Sequence, residues 1–463
     1  MLAQSVKVLL LVAAAAALSA CSTPCDAPGR LCAPISSITS PAPAPLPPAP
    51  PPPPPKPAPP PEPPPETFAV QLPQSGALAS ASEQSAGASR AGLAGLPSLT
   101  MQSVTPDQSA HPNPSGQPAL TLQSLSTVHI ALLLPLRSEA LGPAAESLRA
   151  GFMAAWQRDQ DGIAVDVVDT GDAVPDVLAS YAVTQDKHDI IVGPLARNAV
   201  TALAASGLVR KPTIALNLPD NHDTASAAPL PPNLLAMGLS IEEEARQAAQ
   251  WAAAEHPNGS ALVVLSGTQW QQRIAAAFSA QWQRLGMSVR TVAIDAPNGA
   301  LNAADLLQLR ISLQAELPDV IFAALGADQT RQLRTALGGD LPIYGTSALN
   351  PGAGTPDQVL DGVHLLDLPW QLQNDHPAVM AYPHPPAAAE RAPGAADMER
   401  LYALGIDAFR VARQIARQPS GSFHIDGVTG QLAVSFGQGA ASFERTEQQA
   451  IYKNGVAQAV AAQ

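Results

Sequence analysis

The side chains able to do covalent chemistry in this chain are few, and their neighbours exclude the common enzymatic uses. The five lysines are Lys7, Lys56, Lys187, Lys211 and Lys453, and none stands three residues after a serine. The Ser-x-x-Lys pair, with lysine one helical turn from a nucleophilic hydroxyl, is therefore missing. None of the nine histidines precedes a glutamate, which removes His-Glu-x-x-His zinc hydrolysis, and no glycine precedes a lysine, which removes the phosphate-cradling P-loop. Gly345-Thr346-Ser347-Ala348-Leu349 begins like a nucleophile elbow, but Leu349 stands where a second glycine must allow the tight turn. No catalytic residue is expected, and no enzyme.

Weaker constellations have plainer explanations. Asp166, Asp169 and Asp172 are spaced by three and could offer oxygens to a hard cation, although acidic residues at a strand-to-helix junction commonly cap the helix and solvate the loop. His129 has no cysteine or histidine near it and reads as a strand-end residue. Glu242-Glu243-Glu244 puts negative charge at a helix start, where the macrodipole favours it. Trp251, Trp270 and Trp282 occupy helical positions where packing is the ordinary role. Neither a metal nor a cofactor is expected.

All three cysteines lie near the start of the chain. Cys21 follows Leu18-Ser19-Ala20 at the end of an apolar run, Val8 to Leu18, that is introduced by Lys7. The run falls short of the roughly 20 residues of a membrane span, and small residues before the cysteine are what a signal peptidase needs. Residues 1–20 thus resemble a bacterial lipoprotein signal peptide, with Cys21 as the acylated first residue of the mature chain. Ser22, rather than Asp, matches the sorting pattern for the outer membrane. Within the anchor segment 21–40, Cys25 and Cys32 could close a small disulfide loop or stay as free thiols.

Composition then divides the chain. Between Pro41 and Pro65 there are 18 prolines in 25 positions, and such a run forms polyproline II because φ is fixed and backbone donors are lacking. At about 3.1 Å per residue it is a semi-rigid spacer of roughly 80 Å. From Phe68 to Ser126, Ser, Ala, Gly and Gln dominate, and too few apolar groups exist to offset the entropy of ordering. Residues 41–127 are read as a disordered linker. Residues 1–127 hold 4 basic and 5 acidic groups, leaving 21 basic and 33 acidic in the remainder. Neither part has the basic footprint that nucleic acid requires.

From Val128 to the end at 463 short β-rich runs alternate with helical stretches, the pattern of parallel sheets covered by helices. Strands are expected at Val128 to Leu136, Ile163 to Asp169, Asp189 to Pro194, Pro212 to Asn217 and Leu234 to Leu239, with helices between them. A second cycle begins at Ile241 to Glu255, introduced by Ser240 with Glu243 three residues on as a capping box. Strands follow at Ala261 to Ser266, Ser288 to Ile294 and Asp319 to Leu325. Leu341 to Ser347 and Gly362 to Asp367 read as strands returning through a hinge, Glu399 to Ala416 as a long amphipathic helix, and Phe423 to Val434 as a hairpin. The expected architecture is α/β with two lobes.

The stretches IALLLPL (Ile130 to Leu136), IIVGPL (Ile190 to Leu195), ALNLPD (Ala215 to Asp220), RLYALGIDAF (Arg400 to Phe409) and the hairpin carry a resemblance. They resemble the type I periplasmic binding protein fold, and more narrowly the C-terminal domain of the LppC family of penicillin-binding protein activators. Enteric members place a helical, tetratricopeptide-like domain before this module. Here that space holds the proline-rich spacer, without a visible 34-residue repeat.

The resemblance implies a non-enzymatic, lipid-anchored outer-membrane protein on the periplasmic face, whose partner is a class A penicillin-binding protein. It also implies a cleft lined by strand ends. Those are Pro135, Leu136 and Arg137; Gly193, Pro194 and Leu195, with Arg197; Asn217; Ser266 and Thr268; and Gly345, Thr346 and Ser347. In amino-acid-binding relatives of the fold, hydroxyls and free amides after the third strand hold a ligand carboxylate. Pro194 removes such a donor and Leu195 and Ala196 bring no hydroxyl, while Arg197 could compensate. The alternative implied function is a membrane-tethered solute-binding protein for an amino acid, and a third is a passive tether. Whichever holds, replacing Cys21 by Ala should move the protein from the membrane fraction to the soluble or uncleaved pool, because acylation is what anchors it. Fractionation followed by immunoblot reads this directly, and unchanged membrane partition would sink the anchor assignment.

Overall fold

The computed structural model describes residues 127–220, 229–339, 341–352, 356–385 and 394–461. The expectations for the signal peptide, Cys21, Cys25, Cys32 and the spacer lie outside the described residues. In the first lobe, β1 (Val128–Leu134), β2 (Ile163–Asp169), β3 (Ile190–Val192), β4 (Thr213–Ala215) and β5 (Leu234–Ala236) form one parallel sheet in the order β2-β1-β3-β4-β5. The central strand VHIALLL has apolar residues on both sides because both sheet faces are covered. Ile130, Leu132 and Leu134 face one core with Leu148 and Phe152 of α1 (Gly142–Arg158). Ala131 and Leu133 face the other, with Tyr181 of α2 (Val174–Gln185) and Leu203 of α3 (Arg197–Ala205).

The second lobe begins at α4 (Ile241–Glu255), where Ser240 accepts the Glu243 amide at the helix start. The Glu243 carboxylate turns to Arg246 instead of the Ser240 amide, so the expected reciprocal box is made on one side. There follow β6 (Ala261–Leu265), α5 (Gln269–Arg284), β7 (Val289–Ala293), α6 (Ala303–Ala315), β8 (Val320–Ala324), α7 (Ala327–Leu337), β9 (Ile343–Gly345) and β10 (His364–Asp367). The last two were expected to return through a hinge. They stay in the second sheet, because Ile343 and Leu365 bury on one face of it while Tyr344 and Leu366 bury on the other.

The return is made instead by α8 (Pro369–Leu372), α9 (Pro377–Met380) and the long α10 (Ala395–Arg417). After α10 come β11 (Gly421–Asp426), β12 (Gln431–Phe436) and β13 (Ser442–Thr446), an antiparallel three-stranded sheet packed on the first lobe. Then β14 (Gln448–Lys453) and β15 (Val456–Ala459) add antiparallel strands to the second sheet, whose order is β15-β14-β10-β9-β8-β6-β7. The chain therefore crosses between lobes three times: from β5 to α4, from β10 to α10, and from β13 to β14.

The first lobe depends on how closely α10 approaches α1. A Cβ on Gly405 would lie 2.1 Å from the Leu148 carbonyl oxygen, and one on Gly151 would lie 1.9 Å from that of Tyr402. Glycine disfavours a helix interior by roughly 0.5–1 kcal/mol, so its presence in both facing helices marks the contact that requires it. The approach also sets Phe152 edge-on to Phe409, with ring centroids 5.3 Å apart. Gly405→Ala should separate the helices and lower the unfolding free energy by about 3 kcal/mol, the upper range for overpacking. Urea denaturation at constant m-value checks this. A midpoint equal to that of the wild type would show that the crossing tolerates a side chain.

Candidate functional site

The residues that join the lobes lie on the buried stripe of α10. Arg400 falls on the stripe with Ala396, Ala403 and Asp407, and it is only 7 % exposed. Its guanidinium reaches out of the first lobe into the second. Nε donates to Asp367 Oδ1 at 3.0 Å and Nη2 to Asp367 Oδ2 at 2.8 Å, the two-pronged geometry that suits a carboxylate. Nη2 also donates to the carbonyls of Ser347 (3.1 Å) and Asn350 (2.8 Å), while Nη1 meets Asp397 at 2.9 Å. Asp367, fully buried at the end of β10, further accepts Asn350 Nδ2 and the Leu368 amide, each at 2.8 Å.

The other two crossings are tied into the same region. Arg445, at the end of β13, donates to the Gly238 carbonyl at 2.7 Å and to Thr429 Oγ1 at 3.1 Å. Thr429 in turn donates through its amide and hydroxyl to Asp407, at 2.8 and 2.7 Å. Gln247 of α4 clasps the third crossing, accepting the Glu447 amide at 3.1 Å and donating to the Arg445 carbonyl at 3.0 Å. Glu244 of α4 accepts the Ser347 amide at 2.7 Å. Burial pushes the Glu244 carboxyl up to about 7, with nearby Asp367 adding to the rise and the Ser347 amide opposing it. Glu447 is likewise raised well above the usual range, first by burial and then by Glu244. Burial lowers the Arg445 guanidinium from its ordinary value.

The residues expected at the cleft are distributed unevenly around this junction. Leu195, Arg197 and Asn217 share a cavity of about 520 Å³ with Leu141, Ala144 and Leu401 of α10. Asn217 spends its side chain locally, donating to the Leu195 carbonyl at 3.1 Å and accepting the Leu218 amide at 2.9 Å. Pro135, Gly193 and Pro194 are buried, and a Cβ on Gly193, whose φ is +124°, would lie 2.1 Å from the Leu133 oxygen. Leu136 is half-buried. Arg137 points to an exposed pair with Asp176 at 2.9 Å.

In the second lobe, Ser266 and Thr268 both bond the Gln271 amide oxygen, Thr268 at 2.7 Å. Gly345 is packed against Leu349, and Thr346 is buried without a hydrogen-bond partner for its hydroxyl. Ser347 is enclosed between Glu244 and Arg400. Arg400 thus binds the main-chain carbonyls of Ser347 and Asn350 in the β9 loop from within the protein.

Elsewhere, His188 Nε2 lies 3.0 Å from Asp166 and Asp172 accepts the Ser138 hydroxyl at 2.8 Å. No group of three metal-ligating side chains occurs among the described residues. Of the junction, Arg400 and Asp367 were not singled out from sequence, and Glu244 was read only as charge favouring a helix start, whereas it is buried against the Ser347 amide. A signal existed for two of them: Glu244 shares the helical stripe of Ala248 and Ala252, and Arg400 that of Ala403 and Leu404. A charged residue on an apolar face has to find a partner.

Two parallel-sheet lobes joined by three crossings define a type I periplasmic binding protein-like fold. Within it, the chain belongs to the LppC family, whose model, described as "LppC putative lipoprotein", matches residues 108–455. LpoA of Vibrio vulnificus, a penicillin-binding protein activator, is 32% identical over 208 residues, covering 41% of this chain and 33% of its own. LpoA of Haemophilus ducreyi is 28% identical over 325 residues, covering 66% of this chain and 50% of its own. The chain thus spans a third to a half of the length of these relatives.

Among solved structures, the C-domain of Haemophilus influenzae LpoA, "a regulator of PBP1A", matches in fold with a TM-score of 0.56 at 24% identity, over 72% of this chain and all of that one, 100%. A Chromobacterium violaceum protein described as a "putative branched-chain amino acid ABC transporter" is 37% identical with a TM-score of 0.57, over 70% of this chain and 99% of its own.

The raised Glu244 fixes the sign of a pH effect. Between the unfolded carboxyl value near 4.3 and the folded value of about 7 the native state holds a proton that the unfolded chain has lost, so stability falls as pH rises through that window. Glu244→Gln should flatten this part of the profile. Chemical denaturation at pH 4.5, 6 and 7.5 measures it, and a mutant slope as steep as that of the wild type would remove Glu244 from the account.

Proposed function

We propose that this protein is an outer-membrane lipoprotein, acylated at Cys21, whose domain from residue 128 onward binds a class A penicillin-binding protein and stimulates peptidoglycan synthesis without catalysing a reaction itself. The proposed organisation is a signal peptide over 1–20, an anchor segment over 21–40, a spacer over 41–127 and the domain over 128–463. Membership of a lipoprotein family supports the anchor, and the activators among its relatives support the partner. The observation that carries the reading is Arg400, which ties the first-lobe helix α10 to the β9 loop and to Asp367. A solute-binding protein works by opening and closing that junction around a ligand. Here the protein's own guanidinium fastens that junction, which suits a domain that offers a fixed surface to a partner.

The runner-up, a tethered solute-binding protein for an amino acid, is favoured by the Chromobacterium violaceum likeness. Both readings meet in one pair of assays on the purified full chain. The activator reading expects a severalfold rise in glycan polymerisation or cross-linking when the chain is added to a class A penicillin-binding protein of the same organism. It expects no thermal shift with leucine, isoleucine or valine. A ligand at a hundredfold excess over its Kd adds about 2.7 kcal/mol of stability, so a bound amino acid would be easily seen. Such a shift with no effect on synthase rate would replace the proposal by its alternative.

A further inference from the structure

Strand β2 forms one margin of the first sheet and, with seven residues, is the longest edge strand among the described residues. Its parallel ladder with β1 uses every second residue. The Val128 amide donates to the Gly162 carbonyl and the Thr170 amide to that of Leu134, which turns the backbone groups of Ala164, Asp166 and Val168 toward β1. The amides and carbonyls of Val165 and Val167 therefore point away from the sheet, and among the described residues no hydrogen bond reaches them. Ile163 differs, its amide donating to the Gln160 carbonyl and its carbonyl accepting Trp156 Nε1 at 2.9 Å. The open stretch thus runs from Val165 to Asp169. Val165 is half-buried against the first core, and Val167, on the same face by alternation, is 39 % exposed. Proteins ordinarily shorten, bulge or cover such an edge.

Charge narrows what can cover it. β2 carries Asp166 and Asp169 and no basic residue. A second copy pairing edge to edge about Asp166 would set two Asp166 carboxylates opposite each other, which destabilises a strand pair. A neutral strand meets no such penalty, and the chain supplies one next to β2. Residues 108–127 contain no Asp, Glu, Lys or Arg, and the LppC family pattern already begins at residue 108, ahead of β1. Within them Leu120-Thr121-Leu122 alternates apolar and polar residues, two positions after Pro118. The segment leads directly into Val128, which is paired with Ile163 at the start of β2.

We propose that residues 119–123 dock on the free edge of β2 as an added antiparallel strand, with Leu122 opposite Val165 and Leu120 opposite Val167. This register exchanges both backbone hydrogen bonds at each of the two pairs and uses the groups that face outward. It lays the two leucines beside the two valines, whereas a slip by one residue turns them to the opposite face. Thr121 then stands beside Asp166, whose carboxylate accepts its hydroxyl. Pro118, which has no amide, falls opposite Asp169 and ends the ladder. From Leu122 to Val128 the chain has to pass two strand spacings, about 9.6 Å, and six residues reach about 20 Å. The linker therefore joins the domain at the carboxyl end of β2, roughly 20 Å from Val128 and on the side of the strand-end cleft. The inference concerns this chain's own linker and stands without any synthase partner.

The test is amide hydrogen exchange on the purified full chain, read residue by residue through mass-spectrometric fragmentation. The amides of Leu120, Leu122, Val165 and Val167 should exchange at least about tenfold more slowly than amides of a free chain. Leu122→Pro removes the donor that pairs with the Val165 carbonyl, and it should return Val165 and Val167 to fast exchange. Ser115→Pro, outside the ladder, should leave all four amides protected. Both substitutions lie ahead of β1, so neither disturbs the core of the domain. Fast exchange at Val165 and Val167 in the unsubstituted chain would overturn the proposal, and so would protection there that survives Leu122→Pro. Surviving protection that grows with protein concentration would overturn it in favour of a second copy at the edge.

Discussion

The ion pair between Arg400 and Asp367 decides what kind of two-lobed protein this is. Arg400 belongs to a helix of the first lobe and Asp367 to the central sheet of the second, and Asp367 is fully buried. Removing two charges from water costs several kcal/mol each, and attraction recovers this only when the remaining hydrogen-bonding capacity is also used. Here it is used: Asp367 receives four donors, and the guanidinium reaches two carbonyls besides its carboxylates. Breaking the pair by replacing one partner therefore costs about 3–5 kcal/mol, far more than a surface contact between domains.

Around that pair the junction balances more acids than bases. Glu244, Asp367, Asp407 and Glu447 share the crossings with Arg400 and Arg445, and Arg410 pairs with Asp407 at 3.0 Å. The acids with few donors yield. Asp367 and Asp407 collect backbone and side-chain donors, whereas Glu244 is pushed upward by burial and by Asp367, and Glu447 by burial and by Glu244. Fastening the lobes thus makes the junction sensitive to protons, and it leaves Glu447 with an oxygen facing no donor.

Much of the fold was legible because its signals are local. Runs such as VHIALLL, ALVVL and VIFAA are apolar on both faces, which a covered parallel sheet demands, and the alternation with helices announced two lobes. What was missed depended on distant contacts. β9 and β10 are short, and only the long-range burial of Tyr344 and Leu366 shows which sheet holds them. α7, ADQTRQLRTAL, was not picked out; it is mostly polar, with Thr330 and Leu333 its buried residues. The candidate cleft was legible as a set of strand ends, and Leu195, Arg197 and Asn217 do meet at one cavity. That Ser347 is covered could not be read locally, because Arg400, which bonds its carbonyl, stands 53 residues further along. Arg400 was in view within RLYALGIDAF, on the stripe of Ala403 and Leu404, but its partner in the other lobe was not legible there.

The account treats the domain as a fastened scaffold that offers a surface to a partner, in place of a clamp that closes on a solute. The most direct measurement is the distance between the lobes, by pulsed electron resonance between spin labels at Gln157 on α1 and Gln308 on α6, both exposed. A single narrow distribution is predicted for the protein, unchanged by branched-chain amino acids and broadened in Arg400→Met. A broad or two-peaked distribution in the unsubstituted protein that narrows when an amino acid is added would contradict it.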